Sequence, residues 1–419
     1  MVDISVPYGR TQLTFRIPEA ASLSVVEPSS APAIPDPAAV LARALDVALA
    51  RRPFPPVHDA VVVVSDGTRP VPNGTILPPL LSRMEAAGIP REGITILVGT
   101  GLHRPTREAE LPALLGPGIC ARYRVAVHDA RDREQLAYLG QTSRGTPIWI
   151  NRSYVNSRLR VLTGMIEPHQ FVGFTGGAKS VAIGLAGAET IAGNHALLQD
   201  PRSQIGVYEG NPAREEMEEI LESVGADLAV NVILNNDKEI VELLAGPARE
   251  VQRTGVVHSA ELCQVPLHHP FDIVIASPGG FPKDREMYQA QKAVAHAAIA
   301  VREGGTIILV AECPEGSGED RFEEWMSAAS DPSDVLERFR REGFQMGAHK
   351  AFLLCRSMVK ARLLLVSDRM PADLARRLLL ELHRTTESAL AAALAYHGEN
   401  ASIAVMPKAS STIPRQELR

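Results

Sequence analysis

The sequence predicts an α/β protein of two domains, each a mainly parallel sheet flanked by helices. Three observations carry that expectation. The chain has 419 residues, more than one ordinary hydrophobic core organises. Short apolar runs without alternation, AVVVVS at 60–65 and ITILV at 94–98, have the character of strands buried on both faces. These runs alternate with helical patterns, the rhythm that winds a parallel sheet through crossover helices.

The elements follow in order. Alternation over 2–6 and 11–17 predicts an opening hairpin that turns at Tyr8-Gly9-Arg10. A proline-rich passage, 27–37, ends in Asp36-Pro37, an N-cap and first residue for a helix over 38–51. Between the strands at 60–65 and 94–98, a helix over 77–87 stops at Gly88. Further strands are expected at 124–127, 147–150, 159–163 and 227–234, with the charged run REEMEEILESV forming a helix over 214–224. The first domain is expected to span 1–265, and CQVPLHHP at 263–270 to link it to a second domain, 270–399. That domain opens with FDIVIASPGG and a helix over 284–302. It continues through the strand TIILVAE, helices over 319–342, the strand RLLLVSD and helices over 371–395. The last strand, ASIAVMP at 401–407, is expected to carry the tail 400–419 back to the first domain.

Composition narrows the functional classes. Hydrophobic residues at 45% and charged residues at 22% describe a folded globular chain. A net charge of -6 without a basic stripe leaves no footprint for nucleic acid. Cys120, Cys263, Cys313 and Cys355 form no CxxC pair, which argues against thiolate metal sites and against a disulfide framework. No run approaches the ~18 apolar residues of a membrane span, and the N-terminus lacks the charged and apolar regions of a signal peptide. A reduced, cytoplasmic protein with no membrane partner is expected.

Five passages carry polar chemistry, each expected where a buried strand ends and a loop begins. In open α/β sheets ligands bind beyond the carboxyl ends of strands, so the active site is expected there, in the cleft between the domains. Ser65-Asp66-Gly67-Thr68-Arg69-Pro70 offers hydroxyls, a carboxylate and a guanidinium suited to an anionic group. Gly99-Thr100-Gly101-Leu102-His103 delivers an imidazole able to exchange protons near neutrality. The longest passage runs from Gly164 through Glu167-Pro168-His169 to Gly176-Gly177-Ala178-Lys179-Ser180, a donor-rich loop ending in a lysine. It approaches a Walker A loop, but Ala178 stands where that motif needs glycine. Gly193-Asn194-His195 presents an imidazole that is either bonded within its helix or a single metal ligand, since no HExxH or carboxylate pair accompanies it. Ser277-Pro278-Gly279-Gly280 leads to Gln289 and Lys292, three apart and so on one helix face; Gln291 lies on another face and is read as solvated. Taken singly, most of these have an ordinary structural explanation as turns, caps or exposed side chains.

Together and in this order, the SDGTRP, GLHRP, EPHQFVGFTGGAKS, GNH and GGFPKDREMYQAQK runs resemble the nickel-dependent lactate racemase family from about residue 60 to 295. The resemblance implies a nickel pincer nucleotide (nickel pyridinium-3,5-bisthiocarboxylic acid mononucleotide), supplied by cofactor-biosynthesis proteins. It implies His195 as the protein's nickel ligand and Lys179 as the residue that some members join covalently to the cofactor. Gly176, Gly177, Ser180 and Thr68 are the further cofactor-binding candidates. It implies His103 and His169 as the two catalytic histidines, Arg69, Gln289 and Lys292 as substrate contacts, and Asp66 as a functional carboxylate beside the arginine.

The implied reaction inverts C2 of a 2-hydroxy acid. An unactivated C2–H beside a carboxylate is a poor acid, whereas oxidising the alcohol needs only a base for the hydroxyl proton and an acceptor for the hydride. The product is a planar 2-keto acid, and return of hydride to its other face inverts the centre. Two bases on opposite sides serve the two enantiomers. The competing readings are a P-loop-like nucleotide hydrolase and a non-catalytic relative that binds a small anion.

Overall fold

The computed structural model describes residues 1–19 and 21–416; residue 20 and the last three residues of the 400–419 tail lie outside the described residues. The chain forms two compact units. The central unit is Ser30–Glu261, and the terminal unit joins Met1–Ser29 to the chain from Leu262 onward.

The chain starts in the terminal unit. β1 (Val2–Tyr8) and β2 (Thr11–Ile17) form the expected antiparallel hairpin, with Tyr8 opposite Thr11, and β3 (Ser22–Val25) follows. Alternation sets one face of the hairpin, Val6, Phe15 and Ile17, into the core of this unit.

The central unit begins with α1 (Pro37–Arg51), where the Asp36 carboxylate accepts the Ala39 N–H at 3.0 Å and Pro37 occupies the first turn. Such a cap contributes ~1 kcal/mol. Then come β4 (Ala60–Ser65), α2 (Asn73–Ala86), β5 (Ile94–Gly99), β6 (Arg124–Val127) and an antiparallel pair, β7 (Leu136–Gln141) and β8 (Pro147–Asn151). β9 (Leu159–Met165) leads into a two-residue ladder, β10 (Pro168–His169) with β11 (Gly173–Phe174). After α3 (Lys179–Ala182), α4 (Ala188–Ala196) and α5 (Pro212–Val224), β12 (Leu228–Leu234) and β13 (Ile240–Gly246) complete the sheet, and α6 (Ala248–Cys263) follows. The sheet order is β13-β12-β9-β4-β5-β6, parallel except for β13. One face, including Val62, Val64, Ile96 and Val161, packs on Leu41 and Leu45 of α1 and Leu77 and Leu80 of α2, all fully buried. Each such side chain contributes ~1.5–3 kcal/mol, which makes this sheet a rigid platform for the loops at its ends.

The rest of the chain builds the terminal unit. β14 (Gln264–Leu267) occupies the expected linker, followed by β15 (Phe271–Ala276), α7 (Met287–Ala300) and β16 (Val301–Val310). Three helices, α8 (Asp320–Ser327), α9 (Pro332–Glu342) and α10 (Ala348–Lys360), precede β17 (Arg362–Val366) and β18 (Glu381–His383). α11 (Thr386–His397), β19 (Ser402–Met406) and β20 (Ile413–Gln416) close the described chain. The sheet order is β18-β17-β16-β15-β19-β3, all parallel, and β20 pairs with β14.

Two domain expectations are corrected. Residues 1–29 belong with the C-terminal elements, not with a first domain of 1–265. The final strand does not return to that domain either. Ile403, Ala404 and Val405 are buried at 0% exposure, and β19 fills the slot between β15 and β3. Among the described residues no helix is long and apolar enough to cross a membrane.

Candidate active site

Strand order brings three of the five passages together. From β4 the chain steps outward to β5 and β6, then returns to the opposite side of β4 with β9 and β12. The reversal between β4 and β9 is a topological switch point, where crossovers leave in opposite directions and open a crevice at the carboxyl ends. Asp66 and Arg69 follow β4, His103 follows β5, and Glu167 and His169 follow β9.

Asp66 organises the first loop. It is 6% exposed, and its Oδ1 accepts the Thr68 N–H at 3.1 Å and the Thr68 hydroxyl at 2.5 Å. Its Oδ2 lies 2.7 Å from His103 Nδ1. Burial alone would raise the Asp66 pKa, but the hydrogen bonds from His103 and Thr68 together hold the carboxyl below its ordinary range. An ionised carboxylate keeps the proton on Nδ1, so Nε2 of the half-exposed His103 ring becomes the acceptor. Arg69 lies 3.7 Å from Glu167, which ties the β4 loop to the β9 loop.

The β9 loop is shaped by its glycines. At Gly173, φ is +73° and a Cβ would come 2.0 Å from the Val207 carbonyl oxygen, so only glycine allows the turn that closes the β10–β11 ladder. His169 pairs with Gly173 in that ladder. Its ring meets Phe171 edge-on at 5.0 Å between centroids, and Phe171 meets His195 the same way, also at 5.0 Å. The two imidazoles thus flank one buried phenyl ring.

Each residue of the GNH passage has a structural task. A Cβ at Gly193 would come 2.7 Å from the Thr146 side chain, so glycine lets α4 approach it. The Asn194 amide donates to the Ala213 carbonyl at 2.9 Å and to Glu216 at 3.0 Å, and Glu216 also accepts the Thr142 hydroxyl at 2.9 Å. These bonds fix the rotation of α4 and therefore where His195, in its last turn, points.

Lys179 is partly buried at the start of α3. Desolvation first and the nearby Arg69 charge next, with a smaller push from Arg214, bring its amine down to about 7 despite Glu167 and Asp66. Such an amine is substantially neutral at physiological pH and hence nucleophilic. The backbone N–H groups of Lys179, Ser180 and Val181 turn back onto Gly176, Gly177 and Ala178 carbonyls at 3.0–3.2 Å. They are not splayed toward a phosphate as a P-loop requires, which removes the physical basis for the hydrolase reading.

In the terminal unit, Lys292 donates to Gln289 Oε1 at 2.6 Å, so the pair shares a face of α7 as the spacing implied. Gln291 is corrected: it is fully buried rather than solvated, because α7 packs a broad apolar surface against the sheet. Glu167, Arg214 and Gln252 escaped the sequence reading. Glu167 lies inside a passage already singled out. Arg214 carried a signal, because it lies on the stripe of Met217, Leu221 and Val224, where a charge is out of place.

A mainly parallel open sheet whose strand-end loops carry a carboxylate-oriented imidazole and an arginine, with a depressed-pKa lysine on the helix that follows, defines an α/β enzyme. The lactate racemase N-terminal domain family matches residues 8–206, and the lactate racemase C-terminal domain family matches residues 267–413. A lactate racemase of Thermoanaerobacterium thermosaccharolyticum is 29% identical over the full length of both chains. One of Lactiplantibacillus plantarum is 33% identical, covering 84% of this chain and 83% of its own. The solved apoprotein structure of the Thermoanaerobacterium enzyme superposes with a TM-score of 0.90 at 28% identity, covering 99% of this chain and all of that one. A crystal structure of a Thermotoga maritima protein, at TM-score 0.65 and 19% identity over 91% of this chain and 97% of its own, shares the fold. The chain belongs to the lactate racemase family, and with it to the isomerases.

Proposed function

We propose that this isomerase is a racemase or epimerase that inverts C2 of a 2-hydroxy acid by reversible hydride transfer to a nickel pincer nucleotide, through a 2-keto acid. The relatives' name makes lactate the first substrate to assay. The observation that carries the reading is the 2.7 Å Asp66–His103 pair beside Arg69 at the switch point.

The residues fit such a cofactor. Among the described residues no cluster of three His, Cys, Asp or Glu could hold a metal by protein atoms alone, so a single imidazole suits a metal that brings its other ligands with it. His195 is that imidazole in the proposal. Gly176 and Gly177, at φ of +84° and +53°, let the turn before Lys179 pack closely on its neighbours, since a Cβ there would come 2.8 Å from Ile166 and 2.6 Å from Gln252. The Lys179 amine, at about 7, suits covalent attachment, with Ser180 and Thr68 as further contacts. When bound, the nucleotide supplies a reversible acceptor for the C2 hydride.

The chain's own residues do the rest. His103 Nε2 takes the hydroxyl proton from one enantiomer, and His169, on the loop beyond β9, serves the other. Arg69 grips the substrate carboxylate, with Gln289 and Lys292 as further contacts, and holds the keto acid while its other face is presented. Proteins that make the nickel nucleotide are the expected partners, in the cytoplasm. The test is to load the chain with the nucleotide and follow enantiopure 2-hydroxy acids by chiral chromatography. Inversion without added NAD supports the reading, and nickel-loaded protein that inverts none of them refutes it.

A further inference from the structure

Arg214 stands first among the charged residues of α5, yet its side chain is only 1% exposed. A guanidinium withdrawn from water is destabilising unless its charge and its donors are both matched. Glu218, one turn later, matches the charge, with Nε at 2.8 Å and a terminal nitrogen at 2.6 Å. An exposed pair of this i,i+4 kind would contribute only ~0.3–0.5 kcal/mol and would need no burial. The burial calls for another explanation.

The remaining donors supply it. Nη1 reaches the Phe174 carbonyl at 3.4 Å and the Gly176 carbonyl at 3.2 Å. The Gly176 carbonyl also accepts the Lys179 N–H at 3.2 Å, so one oxygen couples the guanidinium to the lysine's backbone. The Tyr208 ring faces the guanidinium at 5.2 Å. Gln252 secures the same turn, donating to the Thr175 carbonyl at 2.9 Å.

We propose that Arg214 is a positioning residue for the cofactor: it clamps the turn 174–177 so that Lys179 presents its amine to the pincer nucleotide. This rests on the cofactor reading above. Lysine in its place would keep the charge, but one ammonium does not reproduce the planar fork that spans Glu218 and two carbonyls at once.

The experiment compares wild type with Arg214→Lys and Arg214→Met by three measurements. Acetic anhydride labelling of the apoprotein against pH, read on the Lys179 peptide by mass spectrometry, gives the amine's midpoint. Nickel per chain after gel filtration reports retention in protein loaded with the nucleotide, and circular dichroism reports melting. The wild-type midpoint is expected near 7. In both variants it should rise by roughly one unit or more as the loop loosens and water reaches the amine, further in Arg214→Met, where the guanidinium charge is also gone. Nickel retention should fall about tenfold, the scale for outer-shell partners of a metal site. A lower melting temperature with midpoint and nickel per folded chain unchanged would make Arg214 merely structural and overturn the proposal. Should Arg214→Met fail to fold, Arg214→Lys decides alone. If even the wild type retains no nickel, the cofactor reading fails, and the proposal resting on it falls too. The labelling arm then still tells whether Arg214 holds Lys179.

Discussion

Replacing Lys179 by methionine should make the apoprotein more stable at neutral pH, and that advantage should shrink as pH rises. The folded chain depresses this amine from 10.5 to about 7, chiefly by desolvation. Between those values the unfolded chain holds a proton that the folded chain has released, so unfolding takes up a proton and wild-type stability climbs with pH. Integrating across the shift, Lys179 costs the fold ~4 kcal/mol at pH 7 and ~2 kcal/mol at pH 9. Methionine fills much of the same volume without a titrating group. The gap between Lys179→Met and wild type should therefore close by ~2 kcal/mol over that interval, or ~2–4 °C in melting temperature for a chain of this size. Scanning calorimetry of both apoproteins at pH 7, 8 and 9 measures it. Parallel melting curves across the three pH values would refute a desolvated amine, and with it the argument that burial makes Lys179 nucleophilic.

Four further outcomes follow from the site. His103→Ala and His169→Ala should each abolish inversion while retaining nickel, as read by metal analysis beside chiral chromatography; wild-type rates in either variant would break the two-base assignment. Asp66→Asn keeps a hydrogen-bond acceptor near His103 but removes the charge. Losing ~1.5–3 kcal/mol of charge-assisted bonding should lower kcat by roughly 10–100-fold with little change in KM. Arg69→Lys should raise KM for the acid more than it lowers kcat, because the planar two-point grip on a carboxylate is lost. Gly177→Ala puts a Cβ 2.6 Å from Gln252 Oε1 at a φ of +53° and should reduce stability by ~1–3 kcal/mol together with nickel retention.

The parallel sheets were legible because strands buried on both faces leave unbroken apolar runs. β4 and β5 lie almost where AVVVVS and ITILV placed them. The capped start of α1 was legible for a similarly local reason, the Asp36-Pro37 pair. What escaped depends on distant pairing. β3, with its SLSV sequence and no buried residue, is a strand because β19 lies beside it, and no local periodicity reports that. β14 was hidden in a proline- and histidine-containing stretch, and its partner β20 lies at the far end of the described chain. α2 starts at Asn73, ahead of the expected 77, because Pro78 and Pro79 obscure the helical pattern. The site passages were visible as glycines and polar residues at strand ends. Which of them meet was not, since only the β9-β4-β5 order sets Arg69 beside Glu167 and Asp66 beside His103.

In the proposed reaction the C2 hydrogen leaves and returns as hydride, sheltered from solvent. Racemisation of enantiopure lactate by the nickel-loaded protein in deuterium oxide, followed by proton NMR and mass spectrometry of the product, tests it directly. With hydride transfer, the inverted lactate keeps its original C2 hydrogen. Solvent deuterium appearing at C2 in step with inversion would mean that the hydrogen leaves as a proton, and would contradict it.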